Sequence, residues 1–184
     1  YEFTLFQILY KNRLGNLLIT EDSVSYIYKT NIGNSLTNGI ECFVEAVPVQ
    51  TRDFYVSVFT ATSLMKAVYQ DAQIVVNGEN TDISGNEVES VPRWISRNGL
   101  NVAYKNLRAT LQYSYVAESF SDPTNQVEPT PNGAKGLVPS YGILDLNLSW
   151  SFASRFILRA GLNNLLNHQY FTKRPLFYPG PGVW

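Results

Sequence analysis

Between Leu144 and Phe152 every second residue is apolar. Leu144, Leu146, Leu148, Trp150 and Phe152 alternate with Asp145, Asn147, Ser149 and Ser151. Successive side chains of a β-strand point to opposite faces, so this segment has one apolar face and one polar face. From Leu107 to Tyr115 the pattern repeats: Leu107, Ala109, Leu111, Tyr113 and Tyr115 alternate with Arg108, Thr110, Gln112 and Ser114. Phe156, Leu158, Ala160 and Leu162 repeat it again, with Ile157 the one apolar residue among Arg155, Arg159, Gly161 and Asn163. Helical spacing is scarce, so the chain reads as all-β.

Earlier segments alternate less cleanly. Phe54, Val56 and Val58 interleave with Tyr55, Ser57 and Phe59, while Ile40, Cys42, Val44 and Ala46 interleave with Glu41, Phe43 and Glu45. Residues 2–11 are strand-like without a clear inward face. Seven strands are predicted, over 2–11, 33–47, 54–67, 96–105, 107–118, 141–152 and 155–164. Their connections are short at 48–53, 105–106 and 153–154. They are long at 12–32, 68–95, 119–140 and from Asn167 onward. A compact soluble domain rarely carries three structureless loops of that length. An up-and-down barrel in an outer membrane does so by construction, with short turns on one side and long loops on the other.

Composition narrows the classes further. With 14 Lys+Arg against 15 Asp+Glu there is no basic excess, which excludes an electrostatic nucleic-acid binder. One Cys and one His exclude an internal disulfide and a Cys/His zinc site within the chain. There is no run of 18 apolar residues, hence no transmembrane helix. Charged residues are only 16% of the chain, and the polar faces are rich in Ser, Thr, Asn and Gln. That suits a wet, enclosed lumen better than the outer face of a soluble sandwich. Leu144 to Phe152 rises about 26 Å along the strand, or about 20 Å vertically at a 40° tilt, close to the apolar band of a membrane barrel. Aromatics gather at both ends of the strands, with Phe54, Tyr55, Tyr104, Trp150, Phe152 and Phe156 near the short turns. Tyr113, Tyr115, Tyr170 and Phe171 gather at the other rim.

The stretch Arg159-Ala-Gly-Leu-Asn-Asn-Leu-Leu-Asn-His-Gln-Tyr170 resembles the signature near the C-terminus of TonB-dependent outer-membrane receptors. Gly161, Asn164, Leu165, Asn167 and Tyr170 are the matching residues. Pro139-Ser-Tyr-Gly-Ile-Leu-Asp145 looks like the start of that family's antepenultimate strand, and Asn38-Gly39-Ile40-Glu41 like its Gly-(Val/Ile)-Glu strand opening. Tyr10-Lys-Asn-Arg-Leu-Gly15 and Leu111-Gln-Tyr-Ser-Tyr115 add weaker support. The resemblance implies a 22-stranded transmembrane barrel around a plug. Residues 1–184 would then be the C-terminal segment of that barrel, holding its fifteenth to twenty-first strands. The plug would lie upstream and a closing strand would follow Trp184. It also implies a Gram-negative outer membrane, contact with lipid, and import of a ferric chelate driven by the TonB complex through an upstream segment. No cofactor is implied.

Within that family the Lys173–Gly182 loop looks most like receptors of the ferric-citrate type. Lys173, Arg174 and Tyr178 are the candidate ligand contacts, because an anionic chelate would want basic groups there. A solvated loop or a lipopolysaccharide contact is the plainer reading of the same residues. Arg108, Asp145, Arg155 and Arg159 are expected on the lumen side, bracing the plug or one another. The acidic residues Asp71, Glu79, Asp82, Glu87 and Glu89 lack an ordered calcium-ligand spacing and read as solvated. His168 reads as structural rather than as a haem ligand, and Cys42 as a small hydrophobe. No nucleophile–base pair, phosphate loop or paired-carboxylate motif points to an enzyme. Two other classes fit part of the pattern: a small eight-stranded outer-membrane barrel or adhesin, and a soluble carbohydrate-binding β-sandwich.

Overall fold

The computed structural model describes residues 1–21, 24–131, 133, 135–152, 155–174 and 182–183. The strands are β1 (Glu2–Glu21), β2 (Val24–Gln50), β3 (Phe54–Gln70), β4 (Gln73–Val76), β5 (Glu79–Asp82) and β6 (Trp94–Tyr104). They continue as β7 (Leu107–Val116), β8 (Ser119–Phe120), β9 (Leu137–Val138), β10 (Tyr141–Phe152), β11 (Phe156–Asn163) and β12 (Gly182–Val183). Eight of them form one antiparallel sheet in the order β1-β2-β3-β6-β7-β10-β11-β12. Each long strand pairs with the next in sequence, the up-and-down topology of a barrel wall. Among the described residues the other two sheets are only the two-stranded hairpins β4–β5 and β8–β9, and no second broad sheet faces the wall, which sets the sandwich aside.

Register decides which side chains share a face, because directly opposed residues of paired strands point the same way. One row runs Val56, Val102, Ala109, Leu148 and Ala160, and the next Val58, Leu100, Leu111, Leu146 and Leu162. On the first two strands Phe3 opposes Cys42 and Leu5 opposes Ile40, which resolves the orientation of the first strand. These rows make one broad apolar face, on which Leu5, Ile40, Val58, Leu100 and Leu148 are exposed and Val56, Val102, Leu111, Leu146 and Leu162 half-buried. A barrel wall in lipid requires that arrangement.

Aromatic residues edge this face at both ends. At the turn end Phe54 meets Tyr104 at 6.3 Å, and Phe152 meets Trp150 at 5.0 Å and Phe156 at 5.6 Å between ring centroids. At the loop end Trp94 packs on Tyr115 at 4.8 Å. Trp94 is a member of this second girdle that the alternation alone did not mark. Two expected members sit elsewhere. Tyr55 opposes Ala103 on the polar face, and Tyr170 stacks on Tyr141, whose strand parity also belongs to the polar face.

The expected loop over 12–32 is instead a continuation of the first hairpin. Leu14 to Glu21 pair residue by residue with Asn31 to Val24. Leu17, Leu18 and Ile19 are consecutive, as are Tyr26, Ile27 and Tyr28, so no alternation signals the strands. Alternation requires one face in lipid, and this part of the hairpin stands beyond the apolar band. A bulge marks the passage: the register shifts between Tyr10 and Leu14, and Asn12 takes φ 58°. The expected loops over 68–95 and 119–140 each contain a small hairpin, β4–β5 and β8–β9. Gly182 and Val183, in the stretch expected to be a loop, pair with Asn163 and Leu162 at the edge of the sheet. The short turn expected at Ala153-Ser154 lies outside the described residues.

A compact apolar core lies beyond the loop end of the membrane-crossing strands. Ala67, Tyr69, Ala72, Ile83 and Val88 are buried together, with Ile74 and Val91 packed against them. The wall itself needs no such core, since lipid takes the place of a second layer.

The two faces predict opposite responses to charge. In the full-length receptor, Leu148→Arg is expected to destabilise the folded barrel by about 2–4 kcal/mol, the cost of a cation at the mid-depth of the lipid face. Asn147→Arg, one residue away on the polar face, is expected to cost less than about 1 kcal/mol. Denaturant unfolding in lipid vesicles measures both, and equal costs would refute the facial assignment.

Candidate functional site

The polar face is a ladder of small polar groups interrupted by charges. Asn101 donates to Ser57 Oγ at 3.1 Å and accepts from Thr110 Oγ1 at 2.8 Å, linking three adjacent strands. One row toward the turns stand Tyr55, Ala103, Arg108, Ser149 and Arg159, and one row toward the loops Phe59, Gly99, Gln112 and Asp145. Gly99 has a steric reason here, since a Cβ would collide with the Phe59 ring that covers it. Of the residues expected on this face, Arg108, Asp145 and Arg159 lie on it, whereas Arg155 stands in the turn before β11. Arg97 opposes Ala61 and Ser114 on the same face and was not singled out from the sequence.

The segment after β11 is held by its asparagines. Asn164 and Asn167 adopt φ 52° and 51°, a left-handed conformation that Asn tolerates better than most residues. Asn164 is buried, and its amide makes two reciprocal bonds with the His168 backbone: Nδ2 donates to the carbonyl and Oδ1 accepts from N–H, both at 2.9 Å. Asp145 Oδ1 accepts from the Asn164 N–H at 2.8 Å, and Leu165 N donates to the Leu144 carbonyl at 2.7 Å. Tyr170 stacks on Tyr141 with ring centroids 4.5 Å apart. Gly161 is buried, Leu165 exposed, and His168 contributes backbone atoms only to these bonds. The motif therefore ends one strand and folds the chain back onto its neighbour.

Among the three expected ligand contacts, Arg174 is already engaged. Its Nε and Nη2 donate to the Leu137 carbonyl at 3.1 and 2.7 Å, and its guanidinium lies 5.1 Å from the Phe171 ring centroid. Lys173 is exposed. Tyr178 lies outside the described residues.

A more built constellation stands where the first hairpin meets the 71–93 loop. Arg13 donates to Ser35 Oγ at 3.1 Å and lies 5.2 Å from the ring centroids of both Tyr10 and Tyr69. Glu89 accepts from the Tyr69 hydroxyl at 2.5 Å and faces Arg13 at 3.8 Å. Burial first, and then the Glu89 carboxylate, push the Tyr69 hydroxyl well above the ordinary tyrosine range. Asn80 clips the loop to the hairpin by bonding both N–H and C=O of Leu18 at 2.8 Å. Gly33, at φ 134°, permits the close crossing: a Cβ there would lie 2.5 Å from Ala72 Cα. Between them a hollow of about 500 Å³ is lined by Asn12, Asn31, Asn34, Asp71, Gln73, Asp82 and Ser84 among others. Hydrogen bonds from Ser84 hold the Asp82 carboxyl below the ordinary carboxylate range. Such a lining recognises a ligand by hydrogen bonds rather than by apolar burial. Among the described residues no three His, Cys, Asp or Glu side chains converge as a metal site. The sequence marked neither as a site residue: Arg13 entered only within the Tyr10–Gly15 stretch that supports the resemblance, in a region read as a loop, and Tyr69 lies just past the predicted end of a strand.

Residues 1–165 match the family described as TonB dependent receptor-like, beta-barrel. The chain belongs to that family. It is 23% identical over 178 residues to a vitamin B12 transporter, BtuB, of Vibrio vulnificus (strain CMCP6), covering 93% of this chain and 25% of that protein. The crystal structure of the ferric citrate transporter FecA in the unliganded form superposes with a TM-score of 0.74 at 19% identity, covering 98% of this chain and 27% of that one. The siderophore receptor PiuA from Acinetobacter baumannii gives 0.66 at 18%, covering 98% and 25%. The chain thus spans about a quarter of the length of these relatives. Barrels of this family reside in the outer membrane of Gram-negative bacteria, and that is the place of this TonB-dependent receptor segment.

Two outcomes follow for the receptor. Asn164→Ala removes both bonds to His168 and is expected to cost about 2 kcal/mol, with faster proteolysis at 164–174. Tyr69 releases its proton more readily unfolded than folded, so its contribution is complete below pH 10 and falls as pH rises beyond it. Hydrogen exchange of the 71–93 loop is therefore expected to quicken above pH 10 beyond its intrinsic rise, and Tyr69→Phe to abolish that extra dependence.

Proposed function

We propose that residues 1–184 are the C-terminal segment of the barrel of a receptor that imports a ferric chelate, of the ferric-citrate or siderophore class, across the outer membrane. The observation that carries this reading is the superposition of 98% of this chain on the ferric citrate transporter with a TM-score of 0.74. The similarity to a siderophore receptor and the basic Lys173 support it. In this reading the polar face lines the lumen, where Arg108, Asp145 and Arg159 meet the plug. The ligand is captured by the loops, with Lys173, Arg174 and Tyr178 near it, and the TonB complex supplies the energy through an upstream segment. The resemblance to a vitamin B12 transporter favours a second reading, a corrinoid ligand.

Titration of the purified full-length receptor with ferric citrate, a ferric hydroxamate, a ferric catecholate and cyanocobalamin separates the two. Saturable binding of one ferric chelate, with cyanocobalamin inert, is the expected outcome. Saturation by cyanocobalamin alone would replace the iron assignment with the corrinoid one.

A further inference from the structure

Two rows on the lipid side of the wall are polar. On β3 the outward residues run Phe54, Val56, Val58, Thr60, Thr62 and Leu64, and their partners on β6 run Tyr104, Val102, Leu100, Asn98, Ser96 and Trp94. Thr60, Thr62, Asn98 and Ser96 therefore form a patch with Val58 and Leu100 on one side and Leu64 and Trp94 on the other. At ordinary strand rise and tilt, Ser96 and Thr62 lie about 5 Å and Asn98 and Thr60 about 10 Å inside the Trp94 row. Thr62 Oγ1 is 3.2 Å from Thr60 Oγ1 and 2.9 Å from Ser96 Oγ, which accepts from Asn98 Nδ2 at 3.0 Å. Ser96 is buried, but Asn98 is exposed, and that bond is its side chain's one hydrogen bond among the described residues. Its carbonyl oxygen and second amide hydrogen thus face hydrocarbon, where an unanswered polar group is costly. The Tyr113 hydroxyl, on the residue of β7 opposite Asn98, lies over Gly142 of β10, on the far side from Asn98.

Just outside the Trp94 row the same face is polar again. Lys66, about 5 Å beyond Leu64, opposes Asn38. Asn38 Oδ1 accepts from Gln7 Nε2 at 2.8 Å, which leaves the Asn38 amide hydrogens to donate. Lys66 is exposed and has no ion-pair partner among the described residues, whereas nearby Arg93 is paired with Glu87. A cation and an amide outside the aromatic edge, with hydroxyls and an amide just inside it, follow the order of groups along a lipid: anionic headgroup first, acyl linkage next. An ester carbonyl only accepts and would leave Asn98 Oδ1 unanswered, whereas a hydroxyl or an amide both donates and accepts. Four side chains are also far short of the roughly 800 Å² per partner that a stable protein interface buries. We propose that β3 and β6 carry on their outer surface a binding site for a phosphate-bearing lipid whose acyl chains bear a hydroxyl or amide near the headgroup. Lys66 and Asn38 hold the phosphate, Trp94 lies along the chain, and Asn98 with Thr62 answers the hydroxyl or amide.

The test is native mass spectrometry of the full-length receptor in detergent, titrated with two lipids. Lipid A carries phosphates, hydroxyacyl chains and amide linkages; dioleoylphosphatidylglycerol carries a phosphate and esters only. The native receptor is expected to bind lipid A about tenfold more tightly, the order of two added hydrogen bonds. Asn98→Leu is expected to remove that advantage and to leave phosphatidylglycerol binding unchanged, while Lys66→Gln weakens both. Leucine suits a lipid-facing strand, and Thr62→Val, which keeps the shape of the side chain, tests the same patch should the first variant fail to fold. Lipid A binding that neither patch variant weakens, or phosphatidylglycerol bound as tightly as lipid A, overturns the site. A receptor oligomer that Asn98→Leu dissociates overturns it as well and assigns the patch to a second copy of the chain.

Discussion

The hydrocarbon interior of a membrane offers no hydrogen-bond partner, so every backbone N–H and C=O of a crossing strand must find one on a neighbouring strand. In this chain that demand is met by nearest-neighbour antiparallel pairing, unbroken from Tyr104–Leu107 to Ile95–Val116 between β6 and β7, and from Trp150–Leu107 to Tyr141–Val116 between β7 and β10. Pairing fixes register, and register fixes facing, because a one-residue slip would carry Leu146 and Leu148 to the wet side and Asn147 and Ser149 into lipid. The apolar rows, the aromatic edges and the polar ladder are therefore consequences of one requirement.

The same requirement explains which parts of the wall were legible in the sequence. Where a strand has lipid on one face and polar groups on the other, period two is enforced, and the predicted bounds of 141–152 coincide with β10. Beyond the apolar band nothing enforces it. Leu17-Leu18-Ile19 and Tyr26-Ile27-Tyr28 pair as regularly as any crossing segment, yet their pattern says nothing about facing. The hairpin extension was hidden for that reason. Tyr170 shows a different limit: an aromatic near a strand end fits a girdle by position, but its stacking on Tyr141 depends on the turn that Asn164 makes, a tertiary fact.

The motif that carried the family resemblance is built for architecture. Two asparagines hold left-handed backbone, one of them answers both polar groups of His168, and Asp145 anchors the turn from the neighbouring strand. Its recognisability follows from this geometry, since few side chains both tolerate φ near 50° and cap a backbone N–H and C=O at once. A signature of this kind marks the wall and is silent about the ligand. The residues expected to contact the ligand fare differently: Arg174 spends its guanidinium on the Leu137 carbonyl, holding the last loop to the β8–β9 hairpin.

Beyond the loop end of the crossing strands, order is maintained by another means. The end of β3 and the 71–93 loop share a small apolar core, and the segments of this region are further joined by side-chain amides bonding backbone. Asn80 does this at Leu18, Asn34 at Asn12, Asn86 at Pro123 and Asn125 at Glu87. Each such bond is short-range and replaceable, so the surface can change its shape and chemistry without disturbing the wall beneath. The ion contact of Arg13 with Glu89 adds a further tie between that surface and the strands, where Tyr69 supplies both a ring for the guanidinium and a proton for the carboxylate. A wall specified by register and a mouth specified by local amide bonds can thus vary independently. This accounts for a chain whose fold matches a ferric citrate transporter and a siderophore receptor at under 20% identity.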